Sequence, residues 1–279
     1  KYGSHRLGLA KWLFDRNHPL TSRVVVNRLW QEIFGRGIVA TSDDFGNQGS
    51  LPTHPELLDY LAIEFMDNGW DMKYMFKLMV TSATYRQSSA SNKKLDERDP
   101  DNTYLARSSR YRLNTEMIRD NILYSSGLLH AELGGPSVKP YQPEGLWEAI
   151  AVGVKGRGES EYIPDQGEKL YRRSLYTYWR KTIPPPSMLI FDAPMKEFCE
   201  VRRVRTSTPL QALNLLNDPQ MLEAARVLGS SLVAEKNIPV EKKIAIAFRR
   251  IISRHPGEEE MEILLKGYQQ EYSRYLADR

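Results

Sequence analysis

Apolar residues recur at helical spacing along most of the chain, and this pattern predicts a mainly α protein. The clearest case is residues 20–34, where Val26, Leu29 and Ile33 fall on one face of a helix that Gly35 ends. Seven or more helices are predicted in this way, whereas no two segments alternate as paired strands would. The expected fold is an irregular multi-helix domain with long loops.

Several helices are predicted to begin at capping residues, whose side chains accept hydrogen bonds from the first free backbone N–H groups. These capping residues are Thr53 with Glu56, Asp71, Thr208 with Gln211, and Asp218. A further helix is predicted over residues 114–129, with Met117, Ile118 and Ile122 on its buried face.

The last third of the chain predicts a C-terminal helical hairpin, because residues 255–257 separate two amphipathic segments. In the second segment Tyr268, Tyr272 and Tyr275 recur at helical spacing, and we interpret them as core side chains.

Regular spacing is lost between these helical parts. Residues 134–167 contain seven glycines and four prolines, which predicts an irregular insertion. Residues 172–179 fit a short strand and a helix equally well, and the prolines at 184–186 predict an extended stretch. The chain is therefore predicted as a single domain over 1–279, with an N-terminal helical half (1–130), a Gly/Pro-rich insertion (131–170) and a C-terminal helical half (171–279).

Composition excludes several classes of protein. The net charge of +4 is spread along the chain, which argues against nucleic acid as a partner. No apolar run is long enough to span a membrane. The single cysteine, Cys199, cannot form an internal disulfide or a c-type haem attachment, and we expect it to be buried. No metal site and no cofactor are predicted in this chain.

The strong enzymatic motifs are absent, so the sequence leaves catalysis open. Imidazole and carboxylate groups gather only around Asp44, His54 and Glu56, which are the candidate catalytic residues. A structural role is the preferred interpretation, since Glu56 has the position of a capping residue and Asp44 lies in a polar loop.

Arginines and aromatic residues form two further groups. Arginine donates two parallel hydrogen bonds to a carboxylate, sulfate or phosphate, so the arginines fit either an ion-pair network between helices or a pocket for an anionic ligand. The network is the preferred interpretation. The aromatic residues around 141–179 fit either a packed core or a surface that stacks on sugar rings.

Four segments together resemble the planctomycete cytochrome-c-associated domain of unknown function. They are VNRLWQEIFGRGIVATSDDFGNQGSLPTHPELLDYLA, TSATYRQSS, RRSLYTYWRKTIPPPSMLIFDAP and RTSTPLQALNLLNDPQ. The resemblance runs from about Leu7 to Leu265, and only residues 134–167 depart from the family in length or content.

The resemblance implies where such a domain occurs and what surrounds it, but it implies no particular reaction. Such domains are typically C-terminal modules of large exported proteins, which implies a periplasmic, cell-surface or secreted location and upstream domains as partners. Any haem c would belong to an upstream domain, and Lys1 would then mark a fragment boundary. The positions carried over by motif or by residue type as ligand-binding candidates are Arg28, Gln31, Arg86, Trp179, Arg180 and Arg203.

Two functions from different classes follow from these observations. The first is an extracytoplasmic module that binds or processes polysaccharide through anionic sugar groups. The second is a non-catalytic interaction module that docks an upstream domain or a c-type cytochrome for electron transfer. Polar side chains that face one cleft would favour the first function, whereas a broad exposed apolar face would favour the second.

Overall fold

The computed structural model describes residues 1–147, 162–197 and 199–278, and within these residues the fold is built of twelve α-helices without a β-sheet. The mainly α prediction is therefore confirmed. The helices are α1 (Arg6–Leu13), α2 (Thr21–Phe34), α3 (Pro55–Asp67), α4 (Met72–Thr81), α5 (Ala83–Arg86), α6 (Lys93–Arg98), α7 (Thr115–Ser126), α8 (Pro186–Ile190), α9 (Pro209–Asn217), α10 (Pro219–Val233), α11 (Val240–Ile252) and α12 (Glu258–Ala277).

The chain divides into two compact units. Unit 1 comprises Lys1–Arg112 and Cys199–Arg203, and unit 2 comprises Leu113–Phe198 and Val204–Arg279. The boundary predicted at residue 130 therefore lies inside unit 2. The part of the predicted insertion at residues 148–161 lies outside the described residues.

The core of unit 1 forms where α2 packs against α3 and α4. Val26, Leu29 and Ile33 are buried as their spacing predicts, and Gly35 ends α2 in the left-handed conformation with φ of 80°. Leu61 and Phe65 of α3 pack against this face. Burial of a side chain of this size contributes about 1.5–3 kcal/mol, so the apolar pattern accounts for this part of the fold.

A buried amide ties the following loop to α2. Asn27 is fully buried; its Nδ2 donates to the carbonyl of Val39 (3.0 Å) and to Ser42 Oγ (3.2 Å), and its Oδ1 accepts from Val39 N (2.9 Å). Gly37 permits this close approach, because a Cβ there would lie 2.7 Å from Asn27 Nδ2. The loop is therefore fixed by polar contacts that an apolar pattern does not predict.

Two predicted helix starts in unit 1 have different outcomes. Asp71 caps α4 as predicted, because its carboxylate accepts from the backbone N–H groups of the first turn. The capping box of Thr53 and Glu56 is wrong, since α3 begins after His54 without a side-chain cap. The reason is that Thr53 Oγ1 donates to the carbonyl of Ile38 and is directed away from the helix. After α5 the chain continues into the short helix α6, which Asn92 caps.

In unit 2, α7 packs against α10, and both predicted caps around α10 are present. Thr208 forms a capping box with Gln211 at α9, and Asp218 accepts from the first N–H groups of α10. The predicted buried face of α7 is wrong at Met117, which is 49% exposed, whereas Ile118 and Ile122 are half-buried. The buried residues of α7 include Thr115, Arg119 and Leu123. Arg119 turns inward because it binds backbone carbonyls of a neighbouring irregular segment.

That segment is neither the strand nor the α-helix that residues 172–179 allowed. It contains a single 3-10 turn, Ser174–Tyr176, and isolated bridges that pair Arg172 with His130 and Thr177 with Val138. The extended proline stretch ends earlier than predicted, because Pro186 is the first residue of α8.

The C-terminal hairpin of α11 and α12 is confirmed, but the interpretation of its tyrosines as core is wrong. Tyr268, Tyr272 and Tyr275 are 43%, 54% and 70% exposed, and α12 has no buried residue among those described. The spacing correctly indicates a helix with an apolar face; the described part of the chain simply offers that face too little to pack against.

The first prediction concerns Asn27. Asn27→Ala leaves the buried Val39 N without its partner and leaves the carbonyl of Val39 only a long hydrogen bond from Ser42 Oγ (3.5 Å), so we expect a loss of about 2–4 kcal/mol in the free energy of unfolding. Urea denaturation measures this loss. The neighbouring Arg28→Ala, at an exposed position of the same helix, should change stability by less than about 0.5 kcal/mol. Equal losses in the two variants would contradict the structural role of Asn27.

The second prediction concerns the turn of the hairpin. Hydrogen bonds from Arg254 and from Gly257 N lower the pKa of Glu260 to about 2. A lowered carboxyl pKa stabilises the folded state above the ordinary value near 4.5, and that contribution is lost as the pH falls towards 2. A side-chain NMR titration should show the low pKa in the wild type, and Arg254→Met should raise it.

Candidate functional site

The three candidate catalytic residues lie in unit 1 but form no common group. Asp44 Oδ1 accepts from Gly46 N (2.7 Å), as expected for a loop-stabilising carboxylate. The His54 ring contacts Thr53 Oγ1 (3.0 Å) and lies edge-on to Tyr104, while Glu56 is exposed in the first turn of α3. No hydrogen bond or ion pair joins these three side chains within the described residues.

Four of the six ligand-binding candidates also lie in unit 1. Arg28 and Arg86 are exposed on α2 and α5, and Arg203 is half-buried. Gln31 is buried: it accepts from Ser42 Oγ (2.5 Å) and donates to the carbonyl of Val201 (3.3 Å). Gln31 is therefore occupied in holding the fold of unit 1.

The other two candidates, Trp179 and Arg180, lie in unit 2. Lys196 Nζ is 4.3 Å above the Trp179 ring, and the Arg180 guanidinium is 4.9 Å above the buried ring of Trp147. Cation–π pairs of this kind occupy aromatic faces that a ligand would otherwise stack on. The predicted candidates are thus divided between the two units.

Two buried arginines organise the interior of unit 2, and sequence reasoning overlooked one of them. Arg119 and Arg172 are only 7% and 4% exposed, and they are the only buried charged residues in the described part of the chain. The expected network of arginine–carboxylate pairs does not describe them, because each binds mainly backbone carbonyl groups. Both arginines hold segments that have no regular structure of their own.

Arg119 reaches from α7 into the irregular segment beside it. Nε donates to Gln220 Oε1 (2.5 Å), Nη1 to the carbonyl of Arg172 (2.8 Å) and to Ser174 Oγ (3.2 Å), and Nη2 to the carbonyl of Leu170 (2.7 Å). Burial lowers the pKa of Arg119 to about 10, so the guanidinium is still charged at neutral pH.

Arg172 also binds backbone carbonyl groups, and these belong to the segment 132–136. Its guanidinium donates to the carbonyls of Glu132, Gly134 and Pro136, and it lies 4.0 Å over the Tyr176 ring. A chain segment without helix or sheet cannot satisfy these carbonyls itself, which explains why a buried cation is retained there.

A narrow pocket lies beside Arg119, within unit 2. Its enclosed volume is about 30 Å³, which is room for about two water molecules. The pocket is lined by α7, α8, α10, residues 140–142, Tyr162 and Thr177. Its polar side chains are those of Thr115, Arg119, Tyr141, Gln142, Tyr162, Thr177, Ser187, Asp218 and Gln220.

Tyrosine and tryptophan rings form one side of this region. Tyr162 donates to the carbonyl of Pro140 (2.6 Å), and burial raises its pKa above the ordinary value of a phenol. Its ring is 5.2 Å from that of Trp147, which donates from Nε1 to Gln142 Oε1 (3.0 Å). These contacts fit the packed-core interpretation for Trp147 and Tyr162.

Sequence reasoning missed Arg119 because the apolar spacing of Met117, Ile118 and Ile122 assigned the inner face of α7 to other positions. The sequence pattern identifies Asp218 and Pro219 only as the start of a helix. No signal in the sequence indicates that a helix start and an inward arginine meet at one pocket, since this depends on how α7 and α10 pack.

Three other expectations concern Cys199, a metal site and a membrane span. Cys199 is exposed, so the expectation of a buried cysteine is wrong. Among the described residues no three or more His, Cys, Asp or Glu side chains are grouped as a metal site would require. Within that same part of the chain, no helix is both long and apolar enough to cross a membrane.

Comparison with known proteins identifies a family without an assigned activity. Residues 5–268 match the family model PSD1, described as a protein of unknown function (DUF1553). The chain belongs to the PSD1 family. The PSD1 match covers α1 to the middle of α12 and thus includes both units. No curated protein and no solved structure matches the chain.

The third prediction concerns Arg119. Arg119→Lys keeps the charge but cannot reach four acceptors, so we expect a loss of about 2–4 kcal/mol in the free energy of unfolding. Chemical denaturation measures it. The matched control is Arg173→Lys, since Arg173 is exposed on the same irregular segment and should change stability by less than about 1 kcal/mol. If both substitutions cost the same, the carbonyl contacts of Arg119 would not organise the segment.

Proposed function

We propose that this chain is a non-catalytic interaction module, which docks onto another protein domain through its C-terminal hairpin. The observation that carries the proposal is the exposed apolar face of α12. Monomeric proteins seldom leave large contiguous apolar areas in water, and such areas commonly mark sites of protein association.

The hairpin surface consists of exposed apolar side chains of α11 and of one face of α12: Ile251, Ile252, Leu264, Tyr268, Tyr272, Tyr275 and Leu276. α11 has 13 residues and α12 has 20, so the end of α12 extends about 10 Å beyond its partner in the hairpin. Tyr272, Tyr275 and Leu276 lie in this extension. Their exposure follows from the unequal lengths of the two helices.

The chemistry of the hairpin surface indicates what kind of partner fits it. Near the extension, Glu271 and Arg274 pair with each other at 3.5 Å, which leaves little net charge for a partner to match. The tyrosines combine large apolar rings with hydroxyl groups, and such side chains are enriched in the energetically dominant centres of interfaces. The surface therefore suits a protein partner with an apolar face and few charges.

The partner we propose is an upstream domain of the same polypeptide. The family resemblance implies such domains, among them a c-type cytochrome domain that would hold the haem absent from this chain. It also implies an exported protein, so we propose a periplasmic, cell-surface or secreted location. In this arrangement the module positions its neighbouring domain and needs no chemistry of its own.

A polysaccharide-binding function is the second candidate, and the pocket beside Arg119 is the observation that favours it. The pocket combines charged, amide and hydroxyl groups with tyrosine rings, which is the chemistry that recognises sugars. The candidate residues for catalysis do not meet there, so this candidate concerns binding only.

The fourth prediction tests docking with Tyr272→Glu. The purified chain is titrated with the upstream fragment of its polypeptide in a calorimeter. A carboxylate in the centre of an apolar interface should weaken binding at least about tenfold. Because the Tyr272 ring is 54% exposed in the chain alone, the melting temperature should change little.

Gln270→Glu is the matched control, since Gln270 is exposed on the opposite side of α12 and the charge change is the same. This control should bind within about twofold of the wild type. Absence of binding by the wild type, or equal weakening by both variants, would refute docking through the hairpin surface. A doubled mass of the chain alone in light scattering would assign the surface to a second copy instead.

A further inference from the structure

The pocket beside Arg119 contains polar groups that the fold does not use. Thr177 lines the pocket, and its Oγ1 is buried without a hydrogen-bond partner among the described residues. Asp218 accepts two backbone N–H groups, both at Oδ1, so that Oδ2 is left to accept from another donor. Unsatisfied buried polar atoms cost free energy, so such a group at a pocket wall points to a missing partner.

Arg119 supplies a donor at the same place. A guanidinium has five N–H groups, and the contacts of Arg119 within the described residues use four of them. The remaining N–H belongs to Nη2. Three residues that line the pocket thus hold, among their described contacts, one unused cationic donor, one unused carboxylate oxygen and one unused hydroxyl.

This mixture of donors and acceptors discriminates between classes of ligand. A sugar hydroxyl both donates and accepts, so it can accept from Arg119 and donate to Asp218 Oδ2. A carboxylate or sulfate only accepts, and it would also meet the negative charge of Asp218. Among the described residues that line the pocket, one cation and one anion balance each other. The pocket therefore fits neutral hydroxyl groups better than the anionic sugar groups expected from the arginine content.

The size of the pocket limits how much of a ligand enters. Its volume of about 30 Å³ holds two water-sized groups but not a sugar ring. Two adjacent hydroxyl groups of a pyranose match this space, while the ring itself remains at the mouth. Tyr141 and Tyr162 also line the pocket and offer apolar surface to the C–H groups of such a ring.

We propose that this pocket binds two adjacent hydroxyl groups of a neutral saccharide, which Asp218, Thr177 and Arg119 recognise together. The proposal rests on the second candidate function and not on docking through the hairpin surface, because Arg119, Thr177 and Asp218 all belong to unit 2. It is a binding site, and no bond is made or broken there.

The test is an NMR titration of the isolated chain with methyl α-D-mannoside and methyl α-D-glucoside up to about 100 mM, since sites for single sugars bind in the millimolar range. Saturation in that range, with shifts at Thr177 and at the indole of Trp147, is the expected result. Ethylene glycol serves as the minimal probe with two adjacent hydroxyls. Sodium glucuronate and sodium sulfate are the anionic probes.

Two variants remove recognition without removing the fold. Thr177→Val keeps the shape of a side chain whose hydroxyl has no partner, so stability should be maintained. Asp218→Asn still caps α10, because asparagine is an equally good N-cap, but it removes the charge. Each should weaken saccharide binding by about tenfold. Asp71→Asn is the matched control, since Asp71 caps α4 of unit 1 in the same way and should leave binding unchanged.

Three results would overturn the proposal. The first is no shift with any neutral saccharide at the highest concentration. The second is tighter binding of glucuronate or sulfate than of the neutral glycosides, which would make this an anion site. The third is wild-type affinity in both Thr177→Val and Asp218→Asn. None of these results depends on an upstream domain, so they are distinguishable from a failure of docking.

Discussion

The fold of unit 2 depends on a cation that is buried to satisfy backbone carbonyl groups. Residues 130–138 and 170–177 have no helix or sheet of their own to occupy their carbonyls, apart from 3-10 turns and isolated bridges. Arg119 and Arg172 donate to five of these carbonyls between them. The two arginines are linked because Arg119 donates to the carbonyl of Arg172. Desolvation of a charge is unfavourable, but the hydrogen bonds of a fully buried guanidinium offset it. The pocket exists because this arrangement holds an irregular segment against α7 and α10.

The sequence predicts those parts of the fold that short-range rules decide. Gly35 and Asp218 act through their own backbone conformation or their nearest N–H groups, and both behave as predicted. Thr53 shows the limit of the rule: it has the right spacing for a capping box, yet a carbonyl fifteen positions away binds its hydroxyl instead. The prediction for the inner face of α7 is wrong at Met117 for the same reason, which is a contact with a distant part of the chain. Whether Met117 or Arg119 turns inward depends on the carbonyls that the distant residues 170–172 present, and periodicity contains no information about them.

Apolar spacing likewise defines a face without saying what covers it. The tyrosines of α12 have the periodicity of a core stripe, and the helix forms as predicted, but α11 is too short to cover Tyr272 and Tyr275. The candidate site shows the corresponding limit for polar residues. Asp44, His54 and Glu56 are neighbours in sequence, yet each has a separate local role, whereas Thr177 and Asp218 are distant in sequence and line one pocket. Proximity along the chain is weak evidence for a site when each residue already has a local hydrogen-bond partner.

Helix α7 is the element that the pocket and the hairpin share. One of its faces contributes Arg119 and Thr115 to the pocket, and another contacts α11, where Ser125 Oγ donates to the carbonyl of Arg250 (3.0 Å) and Asn121 Nδ2 to that of Ile251 (3.4 Å). Both faces of α7 are therefore positioned by polar side chains that bind backbone carbonyls of other elements. Because those carbonyls belong to residues 51 to 130 positions away in the chain, apolar periodicity within α7 does not determine which of its residues turn inward.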